Sequence, residues 1–174
     1  MTWSLRLALG LCLAVALLPS RAEARGPFLW TWPHRESDKD AIHDLVDHST
    51  QAWNAGDAEG YAVRFVVDLE FTDVTGFSSS GRKTFEARQN QLFKTIFRGS
   101  RLKQVIQKVR LLTPEVAMIE IDTELTGFAG LPGGVRAWPD GVLRTHLQEV
   151  LVKVAGTWWI AGYHEVDAKP DLGG

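Results

Sequence analysis

Two carboxylates and one histidine hold most of the chemistry this chain could perform. Asp73 follows the strand-like residues Leu69 and Phe71 and precedes Val74-Thr75-Gly76. A carboxylate inside an apolar pocket has a raised pKa and can accept a proton from a substrate. An Asp at such a position can equally cap the turn. Glu149 and His164 sit in the last two strand-like runs, joined by the tight turn Ala155-Gly156. Pairing Val154 with Thr157 sets Glu149 opposite Gly162 and Leu147 opposite His164. Glu149 and His164 are then diagonal neighbours, and the carboxylate can fix the imidazole tautomer for acid or base work. A buried structural histidine bonded to Glu149 is the other reading. The same register turns Trp158, Ile160, Gly162 and His164 toward the helices, and Trp159 and Tyr163 away from them.

Other polar groupings have quieter readings. Glu120, Asp122 and Glu124 share one strand face, which is a solvated edge if convex and a set of pocket acids if concave. His43 with Asp47, and Asp44 with His48, have the i,i+4 spacing of metal ligands, but they lie opposite the apolar stripe of their helix and read as a solvated face. His164-Glu165 lacks the second histidine of a zincin motif, since Ala168 stands there. The serines between Gly76 and Gly81 lack nucleophile-elbow spacing. There is no Gly-x-Gly-x-x-Gly loop. No metal site and no cofactor is expected.

The elements that must position these groups follow from periodicity. Ser37 reads as an N-cap, and Ile42, Leu45, Val46, Ser49, Ala52 and Trp53 form one helical stripe. Ala55-Gly56 ends that helix. Asp57 caps a short second helix through Phe65. Leu69, Phe71 and Val74 suggest a strand, and residues 77–81 a Ser/Gly loop. A third helix runs from Lys83 to Phe97. Strands follow over 102–112, 116–126, 142–154 and 158–166. The Gly/Pro-rich segment 127–141 is long for a hairpin loop and reads as a flap or lid. Helices followed by consecutive antiparallel strands give an α+β fold with helices on one face of a curved sheet.

Trp53-Asn54-Ala55-Gly56-Asp57, then Phe65, Asp68, Phe71, Asp73 and Gly76, resemble the first motif of the nuclear-transport-factor-2-like superfamily. Phe97-Arg98-Gly99-Ser100-Arg101-Leu102 and Trp158-x-Ile160-Ala161-x-x-His164 resemble its SgcJ/EcaC branch, near the SnoaL-like polyketide cyclases. The resemblance spans Ile42 to Val166. It implies a bent antiparallel sheet wrapped around three helices as a cone, a pocket at the open end, and dimers. It places Asp73 where ketosteroid isomerases of the superfamily hold their general base, and it turns His164 into the cavity. Ser49 falls where those isomerases have an oxyanion-stabilising tyrosine, and is short for that role. The superfamily contains isomerases, dehydratases, cyclases and binding modules. The branch also carries an oxidoreductase label, which no redox motif in this chain matches.

Composition narrows the classes. The chain has 174 residues, with 19 Lys+Arg against 21 Asp+Glu, and no basic run, so a nucleic-acid partner is not expected. Leu7 to Leu18 is an apolar run too short to span a membrane, preceded by Arg6 and followed by Ala22-Glu23-Ala24. It reads as a signal peptide over residues 1–24, cleaved to leave Arg25 first, which N-terminal sequencing of secreted protein would decide. A secreted or periplasmic protein follows, free of the membrane after cleavage. Residues 25–36 are an irregular lead-in, 37–168 one SnoaL-like domain and 169–174 a loose tail. The only cysteine, Cys12, leaves with the leader. The expected protein is an exported small-molecule-binding domain, taken to be a cofactor-independent lyase, isomerase or cyclase. Asp73 is its base, His164 and Glu149 its proton partners, and Trp53, Tyr61, Phe93 and Trp158 the walls for an apolar or aromatic ligand. A non-catalytic ligand-binding or dimeric interaction module is the alternative.

Overall fold

The computed structural model describes residues 35–169. The signal segment, most of the lead-in and most of the tail lie outside the described residues. Helix α1 (Arg35–Ala55) buries Ile42, Leu45, Val46, Ala52 and Trp53, the stripe read from the sequence. It already includes Ser37, so its start precedes the expected cap. It ends where Gly56, at φ +70°, returns its N–H to the Trp53 carbonyl at 2.8 Å, a conformation that glycine adopts without strain. Asp57 caps α2 (Ala58–Ala62) by accepting the Gly60 N–H at 2.9 Å. This helix is shorter than expected, because β1 (Phe65–Thr72) already begins at Phe65. The Ser/Gly loop contains a short strand, β2 (Ser78–Ser80), and α3 (Arg82–Lys94) follows.

Four long strands complete the chain: β3 (Arg101–Thr113), β4 (Val116–Thr126), β5 (Leu143–Val154) and β6 (Thr157–Asp167). The sheet order is β2-β1-β6-β5-β4-β3. All neighbours are antiparallel except β1 and β6, which run parallel, so the sheet is mixed rather than wholly antiparallel. The inner face of β4 presents Ala117, Ile119, Ile121, Thr123 and Leu125, every second residue, to the helices.

The register of β6 departs from the expected one. Val154 does pair with Thr157, and Leu151 with Ile160. Ala161 is then left unpaired, and the ladder resumes with Val150 opposite Gly162, Glu149 opposite Tyr163 and Leu147 opposite Glu165. A β-bulge bends its strand and reverses the faces beyond it, because side chains alternate with a period of two. Tyr163 and Glu165 therefore point inward, and Gly162 and His164 outward. Pairing with β1 jumps at the same place, from Phe65/Ile160 to Glu70/Gly162.

The superfamily-like motifs fasten α1 to β3. The Asn54 side chain accepts the Leu102 N–H at 2.8 Å and donates to the Leu102 carbonyl at 2.9 Å, as a neighbouring strand would. Trp53 Nε1 donates to Ser100 Oγ at 3.1 Å.

Candidate functional site

Between the helices and the inner sheet face lies a narrow cavity of about 60 Å³. Trp53, Tyr61, Phe71, Phe85, Phe97 and Tyr163 form most of its aromatic wall. Two pairs pack edge to face, Trp53 and Tyr61 with centroids 5.4 Å apart and Phe71 and Phe85 5.2 Å apart, in a geometry ring quadrupoles favour. Charged groups interrupt the wall at two places.

The first is the turn after β1. Asp73 Oδ1 accepts the backbone N–H of Thr75 at 2.9 Å and that of Phe77 at 3.3 Å, and the Thr75 hydroxyl also bonds to it. Its Oδ2 accepts from Arg88 Nε at 3.0 Å and is ion-paired with the same guanidinium. Arg88 in turn lies over the Phe77 ring, 4.3 Å from its centroid. Asp73 thus lines the cavity as expected, with both oxygens engaged.

The second is a row of hydroxyls ending in a carboxylate on the sheet. Thr123 of β4 bonds to Thr145 of β5, and Thr145 donates to Glu165 Oε1 at 2.6 Å. Tyr163 donates its phenol to Glu165 Oε2 at 3.1 Å. Burial pushes the Glu165 carboxyl above the usual range; the bonds from Thr145 and Tyr163 pull against that, and the charge of Asp73 adds to it. Among the described residues no cation is paired with Glu165. Burial also raises the phenols of Tyr61 and Tyr163, which stay protonated and can only donate or accept hydrogen bonds.

The structure separates Glu149 from His164. Glu149 is 4% exposed on the inner face, with no partner for Oε2 among the described residues, and burial pushes its pKa up to about 8. His164 is exposed on the outer face, opposite Gln148. The bulge at Ala161 is the reason. The warning was present in the sequence: Ala161-Gly162 are small, and Tyr163, the next large residue after Ile160, falls out of phase. Trp158 also leaves the site. Its indole donates to Asp38 at 3.2 Å and stacks with Lys153, which itself pairs with Asp38, so it fastens β6 to α1. Phe93 packs on Trp53 at 5.0 Å, behind the cavity wall. Trp53 and Tyr61 are where a ligand would meet them.

Glu120, Asp122 and Glu124 lie on the outer face, where Asp122 bonds to His146 at 2.7 Å and Glu124 pairs with Lys103 and Arg144. His43, Asp44, Asp47 and His48 are exposed. Ser49 is buried and donates to the Leu45 carbonyl. The segment 127–141 brings Pro132 to the cavity and is tied down by Ala129 N–H to the Ile96 carbonyl and by the Trp138 indole to the Ala168 carbonyl. Sequence reasoning missed Glu165, Thr145 and Arg88, and also Gln89. Gln89 lies four residues from both Phe85 and Phe93, a polar interruption of an apolar helical stripe that was legible as such.

No family model matches the chain, and no curated protein does. Solved structures do. A domain with a cystatin-like fold from Nostoc punctiforme is 25% identical, with a TM-score of 0.66 over 78% of this chain and 80% of that one. A protein from Shewanella oneidensis described as nuclear-transport-factor-2-like is 19% identical, with a TM-score of 0.61 over 75% and 99%. A scytalone dehydratase candidate from Novosphingobium aromaticivorans is 19% identical, with a TM-score of 0.64 over 77% and 86%. The chain has the cystatin-like, nuclear-transport-factor-2-like α+β fold of these proteins.

Proposed function

We propose that the cone cavity is a small-molecule site and that Glu165 is its general base, in a cofactor-independent lyase, isomerase or cyclase. One observation carries this reading. Glu165 is a cavity carboxylate held only by neutral donors, Thr145 and Tyr163, in aromatic surroundings that raise its pKa. A carboxylate so placed is more basic than one in water, yet is ordered for proton transfer. Asp73, the base expected from the sequence, would first have to leave Arg88 and the turn amides. The scytalone dehydratase candidate among the fold neighbours is consistent with a lyase, as one of several chemistries this fold carries. Tyr163 takes the partner role that was read for His164.

The wider proposal keeps the SgcJ/EcaC branch, export after cleavage at Ala24, an apolar or aromatic ligand and a homodimer. A non-catalytic binding module is the second reading. The cavity volume of about 60 Å³ and the engagement of Asp73 favour it.

Proton exchange decides between the two. Acetophenone, 2-butanone and cyclohex-2-enone are incubated with the protein in D2O, and loss of α-proton signal is followed by ¹H NMR. The enzymatic reading predicts exchange above the buffer rate for at least one ketone, reduced about 10²–10⁴-fold by Glu165→Gln. The rate should fall as pH drops through the Glu165 pKa, because only the ionised carboxylate accepts a proton. Exchange no faster than buffer, or unchanged in Glu165→Gln, favours the binding module.

A further inference from the structure

Gln89 is 6% exposed, lines the cavity, and its Nε2 has no hydrogen-bond partner among the described residues. A buried amide without a hydrogen bond destabilises a fold by roughly 1–3 kcal/mol, so such groups are rare. Gln89 also sits on α3 in the row Phe85–Gln89–Phe93, where a leucine would pack without that penalty. The unmet donor and the cavity beside it point to one partner, a ligand oxygen.

The rest of the lining restricts what carries that oxygen. Among the described lining residues Arg88 is the single cation, and it is ion-paired with Asp73. An anionic ligand would enter beside Glu165 and Asp73 with no free countercharge, and would lose its hydration besides. The walls are aromatic and aliphatic. The enclosed volume is less than half of the roughly 150 Å³ that accommodates benzene. It takes the end of a molecule rather than a fused-ring body.

From this we infer that the site recognises neutral carbonyl compounds by their oxygen: Gln89 Nε2 donates to the carbonyl, and the small carbonyl-bearing end of the molecule lies against Phe71, Leu92 and Leu102. This rests on reading the cone as a ligand site, and it makes Gln89 the residue that selects a ketone over a hydrocarbon or a carboxylate. Binding alone tests it, independently of turnover.

Acetophenone, ethylbenzene and benzoate share a phenyl group and differ in the acceptor and the charge. Their dissociation constants are measured by ligand-observed NMR on the wild type and on Gln89→Leu, with Gln89→Met as a second variant should the first fold poorly. Acetophenone is expected to bind the wild type most tightly and to weaken about tenfold in either variant, as loss of one hydrogen bond implies. Ethylbenzene should change less than twofold, and benzoate should bind most weakly throughout. Either variant should also melt at a higher temperature than the wild type, because the orphaned donor is gone. Equal affinity for acetophenone in wild type and variants, tighter binding of benzoate, or no binding of any of the three at millimolar concentration overturns the inference. Gln89-dependent binding without proton exchange keeps the inference and removes Glu165 from catalysis. Exchange with Gln89-independent binding does the reverse.

Discussion

Glu149 and Glu165 are both inward-facing carboxyls, and what surrounds them gives them different work. Glu165 meets the cavity and two hydroxyl donors. Glu149 meets neither, and the cost of burying its charge dominates. Its folded-state pKa, about 8, lies above the ordinary glutamate value of 4.5, so the folded protein holds a proton that the unfolded chain releases. Stability is therefore full below about pH 4.5 and declines as pH rises toward 8, by an amount on the order of several kcal/mol in total. Melting temperature measured across pH 5 to 9 should fall in the wild type. It should fall much less in Glu149→Gln, which should be the more stable protein at pH 9. An identical pH profile in the two proteins would mean that another group sets the dependence. At this scale the sequence showed which residues could do chemistry, but not which would meet. Asp73 and Tyr61 were named and line the cavity, whereas Glu165 was passed over because a single bulge decided its face.

Among the elements, the α1–β3 junction bears most on the site, because it holds Trp53 and the start of β3 against the cavity. Asn54 makes two hydrogen bonds to the Leu102 backbone, and Arg101 donates to the Asn54 carbonyl at 2.9 Å. Asn54→Ala removes both side-chain bonds and should lower stability by about 1–2 kcal/mol, read by urea denaturation. Asn54→Asp keeps the acceptor toward the Leu102 N–H and loses the donor, and should lie between the two. A loss below about 0.5 kcal/mol in Asn54→Ala would show that the junction is held by the packing of Trp53 instead. Element existence was legible from periodicity: the α1 stripe, α3 and the four long strands all stand near their expected bounds. Two features were not. The parallel pairing of β1 with β6 is a long-range choice that no local pattern encodes, and β2 is three serines with no apolar alternation to announce it. The bulge is intermediate, since its small-residue pair is visible but its effect on register emerges only from how the sheet bends.

At the scale of the whole molecule, the curved sheet and the helices enclose a carboxylate among aromatic side chains. The sheet supplies Glu165, its hydroxyl donors and the Phe71 ring, while the helices supply Trp53, Tyr61, Phe85 and Gln89. The central claim is that this enclosure makes Glu165 a stronger base than an exposed glutamate. Its carboxyl titration, followed by ¹³C NMR with Glu149→Gln as the background to remove the other high-titrating carboxyl, measures that directly. A midpoint above the ordinary glutamate value of 4.5 is expected, with Glu165 still ordered against Thr145 and Tyr163. A midpoint at or below 4.5 would contradict it. The two hydroxyl donors would then stabilise the anion more than burial opposes it, and Glu165 would be a structural acceptor rather than a base.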